Sequence, residues 1–301
     1  MKAAAAAVAI AVGSTAGEER MPATRADVWR EWISAGVVDL VERLDRFFGD
    51  ERLEDDTDVT RVRLALGARW SRAEGPSLAS RFNARLALPR LHRRLQLLVD
   101  NVTEVDEPTA GGVLDQAVER SRPDAGLRYI FREGGSFRLQ ADGGGRLGSD
   151  PQAFVRLRAR WLVPLDPWEL RLSETAQWWS GDGVGLIGEM RWSRRLREGW
   201  LFRSSSRLGW YEDREGVTPA QSLAGLREAG GGQGYGLFVT GEWPETPRGG
   251  RAAYSADVLL RRRLGREWLF LEVVPGLRFA EERNYEADPR VTVLLEAQFG
   301  G

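Results

Sequence analysis

From Val155 to Val163 the chain alternates without a break: Val155, Leu157, Ala159, Trp161 and Val163 share one parity, and Arg156, Arg158 and Arg160 share the other. At the two-residue period of a β-strand, this sets a purely apolar face back to back with a strongly cationic one. The short turn Pro164-Leu165-Asp166-Pro167 follows, flanked by Trp161 and Trp168, and the next segment again sets Leu170 and Leu172 against Glu169, Arg171 and Ser173. A soluble sheet can carry such a strand once. Its repetition requires an apolar medium on one side and a polar one on the other.

That requirement is met by an all-β fold in which the apolar face meets lipid and the polar face meets a lumen: a transmembrane antiparallel up-and-down β-barrel. Strand-like segments lie near 60–71, 77–88, 91–101, 125–133, 135–143, 152–164, 168–179, 183–194, 199–211, 218–229, 233–244, 251–263, 267–280 and 289–299. This is about fourteen strands, an even number, as bacterial single-chain barrels have. The segments 135–143 and 218–229 alternate weakly, and without them the count is twelve. Elsewhere the pattern is sharp: Val62, Leu64, Leu66, Ala68 and Trp70 oppose Arg61, Arg63 and Arg69, and Leu78, Phe82, Ala84, Leu86 and Leu88 oppose Arg81, Asn83 and Arg85.

The connections alternate in length, as they do in barrels with short periplasmic turns and longer outer loops. Those after even-numbered segments are brief, such as Pro89-Arg90 and Leu165-Asp166-Pro167, whereas 102–124 and 281–289 follow odd-numbered ones. The links at 72–76 and 180–183 are short on the long-loop side, and the glycine cluster 229–232 leaves one turn undefined. Trp70, Trp161, Trp168, Trp178, Trp179, Trp192, Trp200, Trp210, Trp243 and Trp268 all fall near segment ends, where aromatic girdles meet the two membrane interfaces.

Whole-chain averages conceal all of this. The 301 residues are 42% hydrophobic and 29% charged, with net charge −1 and mean hydropathy −0.38. The longest apolar run, Ala3 to Val12, is far shorter than the roughly 20 residues of a spanning helix. It follows Lys2 and precedes Gly13-Ser14-Thr15-Ala16, the layout of a signal peptide cleaved after Ala16. An Ala-rich start of biased composition is the alternative. Cysteine is absent and every basic residue after Lys2 is arginine, which suits planar, multidentate ion pairing. The near-zero net charge argues against a nucleic-acid partner.

From Thr24 to Phe48 the period becomes helical, with Trp29, Trp32, Ile33, Val37, Leu40, Val41, Leu44 and Phe47 in one arc and Glu31, Asp39, Glu42, Asp45 and Arg46 on the other side. Thr24 and Asp27 form a partial capping box, and Gly49 stops the helix. Such a helix can plug or line the lumen, lie in the membrane interface, cap the barrel or bind a periplasmic partner. The expected layout is a signal peptide at 1–16, a periplasmic amphipathic helix with an acidic linker at 17–58, and the barrel at 59–301.

The final segment places Val291, Val293, Leu295, Ala297 and Phe299 on one parity, followed by Gly300 and Gly301. This resembles the C-terminal signal of bacterial outer-membrane β-barrel proteins, whose terminal Phe is read by the barrel-assembly machinery. Asp45 to Asp50 (DRFFGD) and Leu88-Pro89-Arg90-Leu91 look like features of proteobacterial outer-membrane proteins. The resemblance is architectural, matches no characterised member, and implies a location in the outer membrane of a Gram-negative bacterium, with its lipids and the assembly machinery as partners.

Catalytic chemistry finds little support. His92 is the sole histidine, and Ser80 on the preceding segment has the opposite parity, so a Ser–His pair of a lipid-active enzyme is not assembled. No second histidine stands at metal-ligand spacing. The carboxylate pairs Asp55-Asp56 and Glu281-Glu282 fall in linker or loop. Gly143-Gly144-Gly145 and Gly230-Gly231-Gly232 lack a strand-to-helix context and read as turns. No cofactor motif is present. The 102–124 loop is a candidate surface lid or inward-folded constriction.

The inward parity carries most information. Arg61, Arg63, Arg81, Arg85, Arg94, Arg156, Arg158, Arg160, Arg171, Arg203 and Arg207 are expected to line the lumen, with Arg69, Arg128 and Arg138, against Glu169, Glu189, Glu242, Asp257 and Glu272. This excess predicts a positive interior and a narrow anion-preferring channel or transporter for small polar or acidic solutes. A closed structural or interaction barrel, filled by an Arg–carboxylate network, is the alternative.

Overall fold

The computed structural model describes residues 60–87, 94–100, 124–134, 136–146, 151–214, 216–244 and 252–299. The signal-peptide segment, the 24–48 helix, His92 and the loop 102–123 lie outside the described residues.

Fourteen strands follow one another: β1 (Arg61–Ser71), β2 (Gly75–Ala87), β3 (Leu95–Asp100), β4 (Asp124–Gly134), β5 (Phe137–Arg146), β6 (Gln152–Leu165), β7 (Trp168–Trp179), β8 (Gly183–Arg195), β9 (Trp200–Tyr211), β10 (Val217–Gly230), β11 (Gln233–Glu242), β12 (Ala253–Arg263), β13 (Leu269–Ala280) and β14 (Ala287–Phe299). Each pairs antiparallel with its neighbours in sequence, and β14 pairs with β1, Val62 opposite Phe299 and Trp70 opposite Val291, so the sheet closes on itself. The weakly alternating segments are strands β5 and β10, which sets the count at fourteen rather than twelve.

Closure has a physical necessity in lipid, where an open sheet edge leaves backbone N–H and C=O groups without partners. The outward parity is apolar around the ring and exposed: Leu66, Leu78, Leu127, Val155, Leu186, Leu208, Leu223, Leu237, Val258, Leu277 and Leu295 all face away from the lumen. A continuous apolar surface of this extent marks a membrane-contacting face. Between β7 and β10 it is interrupted. Glu174 faces outward at mid-strand, and Ser204, Ser206 and Gln221 satisfy one another, with Ser206 Oγ donating to Gln221 Oε1 (2.5 Å) and Gln221 Nε2 to Ser204 Oγ (3.0 Å).

Aromatic side chains border the belt. At the end with the short turns, Trp168 packs edge-on against Trp192 and Phe202, Trp161 packs against Phe137, and Trp268 stacks on Phe299 at 5.4 Å between ring centroids. Trp200 begins β9 at the same end, beneath the guanidinium of Arg227. At the end with the longer loops, Trp70, Trp178 and Trp210 are exposed, and Trp243 Nε1 donates to Tyr254 Oη at 3.1 Å. Trp179 departs from the girdle: its parity is inward, and it is buried against Phe154.

Glycines decide two local features. Gly231 and Gly232 have φ of +60° and +74°, which lets a two-residue link join β10 to β11. The expected turn at Gly143–Gly145 is instead part of β5. There Gly144 permits a close approach to β4, since a Cβ on it would lie 2.1 Å from the carbonyl oxygen of Ala125.

Candidate functional site: the inner wall

The alternation that places leucine and valine against lipid leaves arginine, glutamine, serine and carboxylates on the inside. Arg63, Arg81, Arg156, Arg158 and Arg203 are inward and buried, and Arg85, Arg160, Arg171 and Arg207 are inward and half-buried. The backbone of Arg61 pairs with Arg85 in β1, while its side chain lies outside what is described. Arg94 is not on the inner wall. It precedes β3 at the rim, exposed, and its Nη1 donates to the carbonyl oxygen of Phe131 at 3.2 Å. The physical reason is that β3 begins only at Leu95, so the alternation that would have turned Arg94 inward has not started.

Two opposite walls differ in how they hold their charge. On the side from β12 through β14 to β2, arginines and carboxylates interlock. Arg261 Nη2 meets Glu296 Oε1 at 2.7 Å, and its Nη1 pairs with Glu272. Arg81, two strands away, reaches Glu296 at 3.4 Å and Glu272 at 3.8 Å. The Arg261 guanidinium also lies over the Phe270 ring, 4.1 Å from its centroid. Gln298 Nε2 donates to Glu296 Oε1 at 2.5 Å. Nearer the loop end, Arg290 grips Asp257 with Nη2 at 3.0 Å and 2.9 Å from its two oxygens. That contact passes β13 at Gly276, where a Cβ would sit 1.9 Å from Asp257 Oδ1. Arg283 holds Asp288 at 3.3 Å, and Asp288 Oδ1 accepts from the Ala73 amide at 2.9 Å, tying two loop-end connections together.

A bridging cluster joins β4 to β6. Arg128 is bidentate on Asp142, with Nε to Oδ1 at 2.7 Å and Nη2 to Oδ2 at 2.9 Å, and Arg156 approaches the same carboxylate at 3.7 Å. Arg146 Nε donates to Asp124 Oδ1 at 3.0 Å while its guanidinium covers the Trp179 ring at 4.1 Å. Bidentate geometry of this kind gives both strength and orientation.

From β6 to β9 the balance is different. Among the described residues these inner faces carry Arg156, Arg158, Arg160, Arg171, Arg191, Arg203 and Arg207, with Glu169 and Glu189 as the carboxylates. Arg191 donates to Glu189 at 2.7 Å, Arg171 approaches Glu169 at 3.6 Å, and Arg158 Nε donates to Thr175 Oγ1 at 3.1 Å. Ser193 and Ser205 are buried between these arginines on the inner face.

Several members of these clusters were not legible as such in the chain. Arg261 sits inside Arg261-Arg262-Arg263 and shares the inward parity of Asp257, but the run of three arginines hid which one pairs inside. Arg191 shares the parity of Glu189, and Glu296 alternates with Leu295 and Ala297, so both carried a readable signal. Asp142 lay next to glycines read as a turn. Arg290 adjoins Pro289, where the last strand was expected to begin, two residues after its actual start at Ala287.

No protein-family model matches the chain, and no curated protein matches it in sequence. Among solved structures, its fold is similar to that of a loop-L8 deletion mutant of OmpT, an outer-membrane protein of Vibrio cholerae, at 10% identity and a TM-score of 0.50, covering 80% of this chain and 98% of that one. Lower scores relate it to OpdK of Pseudomonas aeruginosa with vanillate (TM-score 0.47, 9% identity, 81% of this chain and 98% of that one) and to an anion-selective porin from Comamonas acidovorans (TM-score 0.47, 9% identity, 80% and 98%). The likeness is one of fold. The closed even-stranded sheet, the apolar belt and the aromatic borders define the class: a transmembrane β-barrel of the bacterial outer-membrane type.

Proposed function

We propose that this barrel is a narrow channel for small polar or acidic solutes, with a preference for anions set by the β6–β9 wall. The observation that carries the reading is the surplus of inward arginine over inward carboxylate on that wall. A fixed positive field raises the local concentration of anions and lowers their barrier to entry, while cations are repelled. The interlocked wall opposite supplies rigidity, keeping a ring of long side chains from collapsing. In planar bilayers the protein is expected to conduct with anion preference; folded protein that passes no current at any voltage rejects the channel.

A closed barrel that serves as a structural or interaction module is the second reading, and one observation favours it. Arg63, Arg81 and Arg203 are only 3–5% exposed although they face the interior. Co-purification of a partner that disappears when residues 24–48 are removed, with the barrel still folded, supports this reading. Phe299, at the rim against Trp268, suits the C-terminal contact of the barrel-assembly machinery. Enzymatic action on lipid draws no support from the inner wall; turnover lost in His92→Ala would revive it.

A further inference from the structure

The lipid-facing surface carries one feature that lipid does not explain. Among the described residues, Glu174 is the one ionisable side chain on the outer face away from the strand ends, exposed at the middle of β7 with no cation or hydrogen-bond donor beside it. Hydrocarbon offers a carboxyl group neither donor nor acceptor, so such groups in membranes pair with protein. Across β8, Ser204 and Ser206 face outward from β9, held by Gln221 of β10. From these positions we infer that the β7–β9 face is an interface between two copies of this chain, related by a two-fold axis along the membrane normal.

Depth is the first constraint. Copies inserted the same way round are related by rotation about the membrane normal, which keeps every residue at its own depth. An isologous contact therefore joins residues of equal depth on opposite sides of the axis. Glu174 stands six residues after Trp168 and Ser206 six residues after Trp200, the tryptophans that begin β7 and β9 at the short-turn end. Strands of one sheet rise alike per residue, so the two side chains share a level, one strand to each side of β8. Glu174 pairs with Gly188 and Ser206 with Met190, so the axis passes β8 between Gly188 and Met190. The rotation brings Glu174 of each copy to Ser206 of the other, and the contact is made twice.

Chemistry agrees with position. Ser206 Oγ gives its proton to Gln221 Oε1 and Gln221 Nε2 donates to Ser204 Oγ, which leaves Ser204 a proton to give and Ser206 a lone pair to receive. A carboxyl group uses both. Shape agrees as well. Two convex walls meet along a line, and the strand on that line has no side chain at Gly188, where an added Cβ would find nothing within 4 Å. The bare position lets the walls approach, as small residues do between membrane helices. Leu186, Met190 and Leu208 around it are exposed and apolar, and fill the contact above and below.

The interface does not rest on the channel reading. With no cysteine in the chain, single substitutions report it. Met190→Cys, beside the axis, is expected to form a disulfide-linked dimer of twice the chain mass when the full-length, heat-modifiable protein is mildly oxidised in phosphatidylcholine vesicles. Leu66→Cys, exposed on β1 diametrically across the ring of fourteen strands, is expected to form several-fold less. A mixture of Glu174→Cys chains with Ser206→Cys chains is expected to give mainly the mixed dimer. Equal yields for Met190→Cys and Leu66→Cys, or self-linked products predominating in the mixture, overturn the proposal. A Met190→Cys product of another mass in native outer membranes assigns the face to a different partner and overturns it too. Glu174→Leu removes a carboxyl from lipid, so heat-modifiable migration should persist while the dimer fraction, counted from photobleaching steps of labelled protein in the same vesicles, falls several-fold. Glu174→Gln, which keeps a donor and an acceptor, should retain most of the dimer. A dimer fraction that Glu174→Leu leaves unchanged counts against the interface.

Discussion

The two opposite walls of this barrel hold similar numbers of arginines and treat them differently. From β12 to β2 the guanidinium groups are shared among Asp257, Glu272, Asp288 and Glu296, across as many as three strands. From β6 to β9 the described inner faces carry Glu169 and Glu189 beside Arg156, Arg158, Arg160, Arg171, Arg191, Arg203 and Arg207, and Asp142 of β5 reaches Arg156. The first arrangement spends its electrostatics internally and acts as a brace. The second carries more inward arginine than inward carboxylate among the described residues. One sheet, with a single alternation rule, thus produces two walls of different charge balance, and the difference lies in which inward positions carry Asp or Glu.

The largest effect on stability is expected from breaking the brace. Arg261→Leu removes the closest cation from both Glu272 and Glu296, and losing one member of a buried ionic cluster costs about 3–5 kcal/mol. Unfolding by guanidinium in lipid vesicles measures this, and a cost under 1 kcal/mol would remove the distinction between the walls. Asp257→Leu acts similarly through stranded Arg290, whereas the double variant Asp257→Leu/Arg290→Leu is expected to recover most of the loss, because an apolar pair of similar volume replaces a buried ion pair at little cost.

The β6–β9 wall should behave in the opposite way. Arg158→Glu with Arg203→Glu is expected to reverse ion preference, with a smaller change in unfolding than Arg261→Leu, because neither arginine is bonded to two carboxylates as Arg261 is. Reversal potentials under a salt gradient report the first effect and the same unfolding assay the second. Loss of folding without a change in selectivity would assign both walls to bracing. The smallest effect is expected at the rim, where half-buried Arg227 and exposed Glu198 lie 3.9 Å apart; Glu198→Ala should alter stability by about 0.5 kcal/mol or less.

Much of this architecture was legible because a barrel wall repeats one local rule. The hairpin of β6 and β7 alternates so strictly that its boundaries, 152–165 and 168–179, nearly coincide with the expected 152–164 and 168–179. Parity also placed Arg63, Arg81, Arg156 and Arg203 inside. Failures arose where local pattern and register diverge. Arg94 was assigned inward because β3 was expected from residue 91, four residues before it starts at Leu95. Trp179 follows Trp178 directly, and two consecutive tryptophans cannot both face lipid on a strand. The glycines of β5 look like a turn because their role is a close approach to β4, visible only once the strands are paired. Most hidden are the partners themselves. Arg81 and Glu296 are 215 residues apart, and only closure of β1 onto β14 brings them together.

The central claim is that the β6–β9 wall gives the lumen its sign. The most direct test is the reversal potential across a tenfold KCl gradient, for the full chain and for a form lacking residues 17–58. A chloride-directed potential is expected in both, strongly reduced or inverted by Arg158→Glu/Arg203→Glu. A potassium-directed potential in the unsubstituted protein, or one that the two substitutions leave unchanged, would contradict it.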